Sequence, residues 1–141
     1  MAFTGNWSCD SFKTGLMNGT FDFTSGTFYI ALYTNDATLN ASTTAYTATG
    51  EVVASGYTAG GLALTIAQAP TVGNSGSTAY ISFDNAVWTS ALTARGALIY
   101  QSGGGNPAVC VLDFGADKTS TITFTVQFPA VSNTSAIIRI A

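Results

Sequence analysis

Residues 111–118 read VLDFGADK, and Asp113-Phe114-Gly115 within them matches the tripeptide that presents a magnesium-binding aspartate in protein kinases. Phosphoryl transfer needs more than that carboxylate. It needs a glycine-rich loop over the phosphates, a strand lysine, a catalytic-loop aspartate with its asparagine, and a second lobe. This chain of 141 residues has no histidine, carries only Lys13 and Lys118 as lysines, and is too short for two lobes. Val109 to Phe114 therefore reads as a buried strand ending at the tripeptide, with Gly115 opening a turn into Asp117-Lys118. No ATP site is expected.

Other chemistries fail for want of a partner group. Without histidine, Cys110 has no imidazole to activate it, and inside the apolar run AVCVL it reads as a small core hydrophobe. Asp84, Asp113, Asp117 and Glu51 are the carboxylates a glycoside hydrolase could pair. Three of them adjoin turns, where aspartate bonds the local backbone instead. Asp10, Asp22 and Asp36 stand alone, without the alternating ligands of a calcium loop. Gly103-Gly104-Gly105 lacks the Lys-Ser/Thr and the helix that make a phosphate cradle. Cys9 and Cys110 are too few and too far apart for a zinc site; an even count permits a disulfide between them without requiring one. The expectation is a protein with no catalytic residues, no metal and no cofactor.

Two arginines and five aromatics are the remaining candidates. Arg95 (TARGAL) and Arg139 (IIRIA) sit in strand-like apolar contexts, where an unpaired charge is costly. They can lie on an exposed face, pair with an aspartate such as Asp84 or Asp113, or form salt bridges across a subunit interface. Trp7, Trp88, Tyr33, Tyr46 and Tyr57 could stack on sugar rings as a carbohydrate-binding platform, or they could be core and interface residues.

Composition narrows the classes. The chain is 47% apolar and only 8% charged, and threonine alone occurs 22 times, favouring pleated, half-buried surfaces over helices. A net charge of −3 with four basic residues leaves nothing to track phosphates, so nucleic acid is not an expected partner. No apolar run approaches the ~18 residues of a membrane span, and the N-terminus lacks the basic and apolar regions of a signal peptide. Four N-x-S/T sequons, at Asn6, Asn18, Asn40 and Asn133, are what this Ser/Thr/Asn-rich composition produces by chance. A surface this weakly charged needs another route to solubility, and burial against partners is one.

The elements that must position these residues are nearly all strands. One short helix is expected within 8–19, with Phe12 and Leu16 on one face, Ser8 or Asp10 as its cap and Asn18-Gly19 as its stop. GTFYIALYT (26–34) is apolar on both faces and reads as a strand covered on both sides. Residues 35–61 show no period and form a long excursion that carries Leu39, Tyr46, Val52, Val53 and Tyr57. Leu62, Leu64 and Ile66 then alternate inward until Pro70 ends the strand, TVGNSGST turns the chain, and Ile81 and Phe83 share a face of the next strand. ARGALIYQ and PAVCVLDFG pair as a hairpin around SGGGNP. In STITFTVQFPA, Ile122, Phe124, Val126 and Phe128 point inward, and TSAIIRIA is the last strand. The predicted fold is one all-β domain over 1–141, an antiparallel, jelly-roll-like β-sandwich with one short N-terminal helix.

SFKTGLMNGTFDF, ALYT, AYTATGEV with GYTAGG, ARGALIY, AVCVLDFGADK and the closing AIIRIA, in that order, resemble a family of small structural proteins of tailed bacteriophages and prophages. The resemblance covers roughly residues 11 to 141 and implies a virion component rather than an enzyme. It brings no catalytic residues to carry over. With no coiled-coil heptads and no collagen-like repeat, a compact domain of this kind suits a capsid decoration, or cement, protein. Its expected partners are the major capsid protein and further copies of itself as a homo-oligomer, with no nucleic acid and no membrane. The expected location is the virion, assembled in the host bacterial cytoplasm. A tail or tail-tip component is the alternative, and a carbohydrate-binding module on the virion surface a further one. On this reading the contact-making residues are Leu39, Tyr46, Val52, Val53 and Tyr57 of the long loop, docked on neighbouring subunits, together with Arg95 and Arg139.

Overall fold

A computed structural model describes residues 3–73 and 76–141. Asn74 and Ser75 of the predicted turn TVGNSGST lie outside the described residues, as do Met1 and Ala2. In chain order the elements are β1 (Trp7–Ser8), α1 (Asp10–Asn18), β2 (Phe28–Tyr33), β3 (Leu62–Ala63), β4 (Ile66–Val72), β5 (Ala79–Phe83), β6 (Ala86–Trp88), β7 (Thr93–Gln101), β8 (Ala108–Thr119), β9 (Phe124–Val126) and β10 (Ile138–Ile140). The fold is all-β and sandwich-like, as the alternation predicts. A five-stranded antiparallel sheet runs β1-β8-β7-β2-β3, accompanied by a three-stranded sheet β10-β5-β4 and a two-stranded sheet β6-β9. The β4–β5 and β7–β8 hairpins join neighbours within a sheet, and β5–β10, β6–β9 and β7–β8 form a nested set of antiparallel pairs, as in a jelly-roll-like sandwich.

Aromatic contacts close the two layers over each other. Phe28 of β2 meets Phe83 of β5 with ring centroids 6.0 Å apart, and Phe83 meets Phe128 at 5.9 Å. Phe114 of β8 meets Phe124 of β9 at 6.2 Å, and Phe124 stands edge-on to Trp88 of β6 at 6.3 Å. β2 is covered on both sides, with five of its six residues buried. Phe124, Val126 and Phe128 are buried as predicted, but Ile122 is 72% exposed. β9 begins only at Phe124, so Ile122 lies before the strand and its alternation has no sheet to act on.

α1 starts later than the pattern implies. Its N-cap is Cys9, which makes no side-chain cap bond, while Ser8 belongs to β1 and Asp10 occupies the first turn. The stop is as predicted, with Gly19 in the left-handed region at φ 80°. Phe12 anchors the helix through an aromatic chain that the strand pattern does not reveal: Phe12 to Phe21 and Phe23, then Phe23 stacked on Phe28 at 4.4 Å. Leu16, expected beside Phe12 in the core, is 36% exposed.

Two further boundaries differ. β4 runs through Pro70 to Val72, with its register to β5 slipping between Gln68 and Thr71. An edge strand tolerates proline at such an irregularity, because the missing N–H faces no partner. Nor does β8 end at Phe114. From Ala94 to Gly96 is two steps along β7, while their partners Lys118 and Asp113 are five apart, so β8 carries three extra residues in a bulge. Gly115, at φ 80°, lies in that bulge rather than in a turn.

Candidate functional site

The long excursion is the first place to look for function, and it folds back onto its own sandwich. Gly50 to Val52 run beside β2: Thr34 N–H donates to the Gly50 carbonyl at 2.9 Å and Val52 N–H to the Leu32 carbonyl at 2.9 Å. The chain then leaves the sheet and returns at β3, after which Leu64 N–H donates to the Phe28 carbonyl at 2.7 Å. The outer edge of β2 is thus covered by a strand split in two, with residues 53–61 looping out between the halves. That gap leaves the Leu32 N–H without a strand partner, and the Tyr57 hydroxyl accepts it at 2.8 Å.

Glu51 holds this arrangement together. It is 8% exposed and accepts three hydrogen bonds: from the Tyr57 hydroxyl at 2.8 Å, the Tyr46 hydroxyl at 2.6 Å and the Gly60 N–H at 2.7 Å. Tyr100 donates to the Gly60 carbonyl at 2.7 Å and Tyr33 to the Thr47 carbonyl at 2.7 Å, so four phenols surround one carboxylate. Burial, reinforced by the negative Glu51, pushes the Tyr46 and Tyr100 hydroxyls up to about 12. Tyr33 and Tyr57 are shifted upward by the same causes, against the hydrogen bonds each makes with backbone. A buried carboxylate that accepts from three donors on separate stretches of the loop is a fastener. Both of its oxygens are engaged, Oε1 by Tyr57 and Gly60 and Oε2 by Tyr46.

This geometry corrects the docking expectation for most of the loop. Leu39, Val52 and Tyr57 are buried in the monomer's own core, and Tyr46 packs on Tyr100 with centroids 4.9 Å apart. Only Val53, 97% exposed, points away. The stacking platform dissolves for the same reason, since Trp88, Tyr33 and Tyr57 are buried and Trp7 alone of the five is exposed.

The charges divide. Arg95 is committed within the chain: its Nε and an Nη atom each lie 3.1 Å from Asp113 Oδ1, and both side chains are largely buried. Burial alone would raise the Asp113 carboxyl, but the Gly115 N–H and then Arg95 outweigh it and hold it below its ordinary value. The Asp-Phe-Gly tripeptide is thus a bulge whose aspartate neutralises a strand arginine, and Arg95 offers no interface salt bridge. Arg139 stays exposed on β10 and makes no ion pair among the described residues.

Both thiols are free. The antiparallel register sets Cys110 opposite Ser8, one residue out of step with Cys9. Burial pushes Cys9 up to about 11, with Asp10 adding to it, and Cys110 up to about 12, so neither is a ready nucleophile at neutral pH. Among the described residues no three His, Cys, Asp or Glu side chains converge on a possible metal position.

What the structure does expose is a groove of ≈ 770 Å³ on the flank where β1 and β10 end their sheets. Its walls are α1 on one side and residues 137–140 on the other, with Val109 to Leu112 lining it from β8. Met17 is 84% exposed, Ile140 54%, Trp7 39% and Leu16 36%, and all four line it. Sequence reasoning assigned Leu16, Met17 and Ile140 to no contact, whereas Trp7 was a candidate stacking residue and Arg139, which also lines the groove, was among the expected interface residues. Compared with protein-family models, curated proteins and solved structures, the chain matches none.

Proposed function

We propose that this chain is a structural protein of a tailed-bacteriophage virion, and that it works by binding, as a capsid decoration protein on the head shell. The observation that carries the reading is the apolar groove flanked by Trp7, Leu16, Met17 and Ile140. Contiguous apolar surface of this kind marks a site that is covered when the protein works. Two further facts support it. Only 8% of residues are charged, which suits a surface spent in repeated contacts, and the ordered sequence blocks resemble virion structural proteins. The proposed partners are the major capsid protein and other copies of this chain, met in the bacterial cytoplasm during assembly.

Immunogold labelling of particles from the phage that encodes the chain tests this directly. Label over the shell is expected. Label confined to the tail would move the protein to the tail or tail tip, and purified virions without the protein would overturn the reading.

A further inference from the structure

The groove inverts the charge of the chain that forms it. The sequence has seven acidic and four basic residues, yet among the described residues Lys13 and Arg139 line the groove and no carboxylate does. We infer that the groove binds an extended, acidic segment of a partner protein, which adds as a strand to the open edge of β10 and sets a carboxylate against Arg139. The inference deepens the assembly reading by naming the chemistry of the partner, and rests on it for the premise that protein covers the groove.

Arg139 carries most of the charge argument. It is exposed at the centre of β10 and makes no ion pair among the described residues. Lys13, on the helix wall, holds Asp10 Oδ1 at 3.1 Å, but that contact is exposed on both sides and uses one of three ammonium donors. Asp10 itself does not line the groove. Around the two cations the surface is apolar, with Trp7, Leu16, Met17 and Ile140 all exposed. A ligand that fits brings both carboxylates and apolar side chains.

The backbone decides between a peptide and a lipid. β10 ends its sheet, with β5 on one side, and consecutive residues 137–140 line the groove, as an edge does and a single face does not. Among the described residues, these four make no backbone hydrogen bond outside the pairing of 138–140 with β5. An acyl chain laid there would strip water from the edge N–H and C=O groups and replace none of its hydrogen bonds. An extended peptide pairs with them. Its alternation also suits the site, since a carboxylate opposite Arg139 leaves apolar residues opposite Ile138 and Ile140. The same arginine turns away a second copy, because two β10 edges paired about their centres would put Arg139 against Arg139.

Fluorescence anisotropy of the full chain tests this with an acetylated, fluorescein-labelled peptide of alternating valine and aspartate, about eight residues long. A Kd on the order of 10–100 μM at low salt is expected, with binding at least ~10-fold weaker when lysine replaces aspartate in the peptide. Arg139→Glu should weaken the acidic peptide at least ~10-fold and favour the lysine one, a reversal that loss of structure would not produce. N-methylation throughout the peptide backbone removes its donors and should abolish binding. No binding of the acidic peptide up to ~1 mM overturns the inference. So does equal binding of the two peptides, an Arg139→Glu protein that binds as wild type does, or a methylated peptide that binds as well as its parent. A chain that ignores the peptide but floats with phosphatidylglycerol vesicles would assign the groove to lipid instead. Peptide binding by a chain absent from purified virions would remove the particle reading and leave the groove's assignment standing. A chain found on the shell that ignores the peptide would do the reverse.

Discussion

Glu51→Ala should be among the most destabilising single changes in this protein, although it removes a charge and not a large hydrophobe. The carboxylate accepts from Tyr57, Tyr46 and Gly60, and alanine leaves all three donors without it. Tyr57 is buried, so its orphaned hydroxyl carries a full desolvation cost of about 1–3 kcal/mol. Tyr46 and Gly60 are nearer solvent and can recover water, so each loses roughly 0.5–1.5 kcal/mol. Relief of the buried charge offsets part of this, leaving a net loss of about 2–5 kcal/mol. For a domain of this size each kcal/mol moves Tm by about 4 °C, so a fall of roughly 8–20 °C is expected. Urea unfolding followed by circular dichroism gives the free energy, and a thermal scan gives Tm. Glu51→Gln keeps an acceptor oxygen and should lose less, about half as much. Tyr57→Phe measured alone and with Glu51→Ala completes a double-mutant cycle, and a coupling of at least ~1 kcal/mol is expected. A Glu51→Ala protein within about 0.5 kcal/mol of wild type would refute the view that this carboxylate fastens the loop.

The phenols around Glu51 make the fold alkali-sensitive. Their folded pKa values lie above the ordinary ~10, reaching about 12 at Tyr46 and Tyr100, so the stability they contribute is complete below pH ~10 and lost as pH rises towards 12. An unfolding midpoint flat across that window would contradict it. Gly61 sits at φ +82°, where an added Cβ would collide with the Ile30 carbonyl oxygen, so Gly61→Ala should detach β3 and cost ~2 kcal/mol or more by urea unfolding. Phe124→Ala should cost about 3–5 kcal/mol, whereas Ile122→Ala, at a position 72% exposed, should stay within about 0.5 kcal/mol. Equal losses in the two variants would mean the strand is misplaced. Asp113→Asn weakens the partner of the largely buried Arg95, and a lowered Tm without loss of any chemistry is expected.

Much of the fold is legible in the sequence because period two survives wherever a strand has a face to bury. Phe124, Val126 and Phe128 are buried, and Leu62, Leu64 and Ile66 stay half-buried between exposed Ala63, Thr65 and Ala67. The hairpin around SGGGNP appears where its glycines and proline place it. Legibility fails where the outcome depends on residues far away in the chain. Pro70 reads as a strand end, but its effect is decided by which side of β4 carries a neighbour: β5 on one side and, among the described residues, no strand on the other. Gly115 reads as a turn, yet three extra residues in β8 are absorbed as a bulge, beside which Asp113 bonds Arg95 across the sheet. The split strand beside β2 has no local signal at all, since each half is only a few residues long.

The candidate site shows the same limit more sharply. An apolar side chain in the sequence says that something must cover it, and nothing about what. Leu39, Val52 and Tyr57 lie in a stretch without period, which makes them look like residues waiting for a partner; the chain's own β2 edge and Glu51 supply the cover. Leu16 and Ile140 lie on regular elements, which makes them look like core, but α1 and β10 stand at the rim of the sandwich, and among the described residues nothing covers these two side chains fully. Periodicity assigns a residue to a face of its own element, and only the assembled layers decide whether that face meets protein or water. The polar residues were the better guide. Glu51 could be buried only with several donors, and its neighbours Tyr46 and Tyr57 are the nearest phenols in sequence. Of the two strand arginines, Arg95 had an aspartate on the adjoining strand and Arg139 did not. Arg139, exposed on β10 and without an ion pair among the described residues, is the strand charge that the fold itself leaves uncompensated.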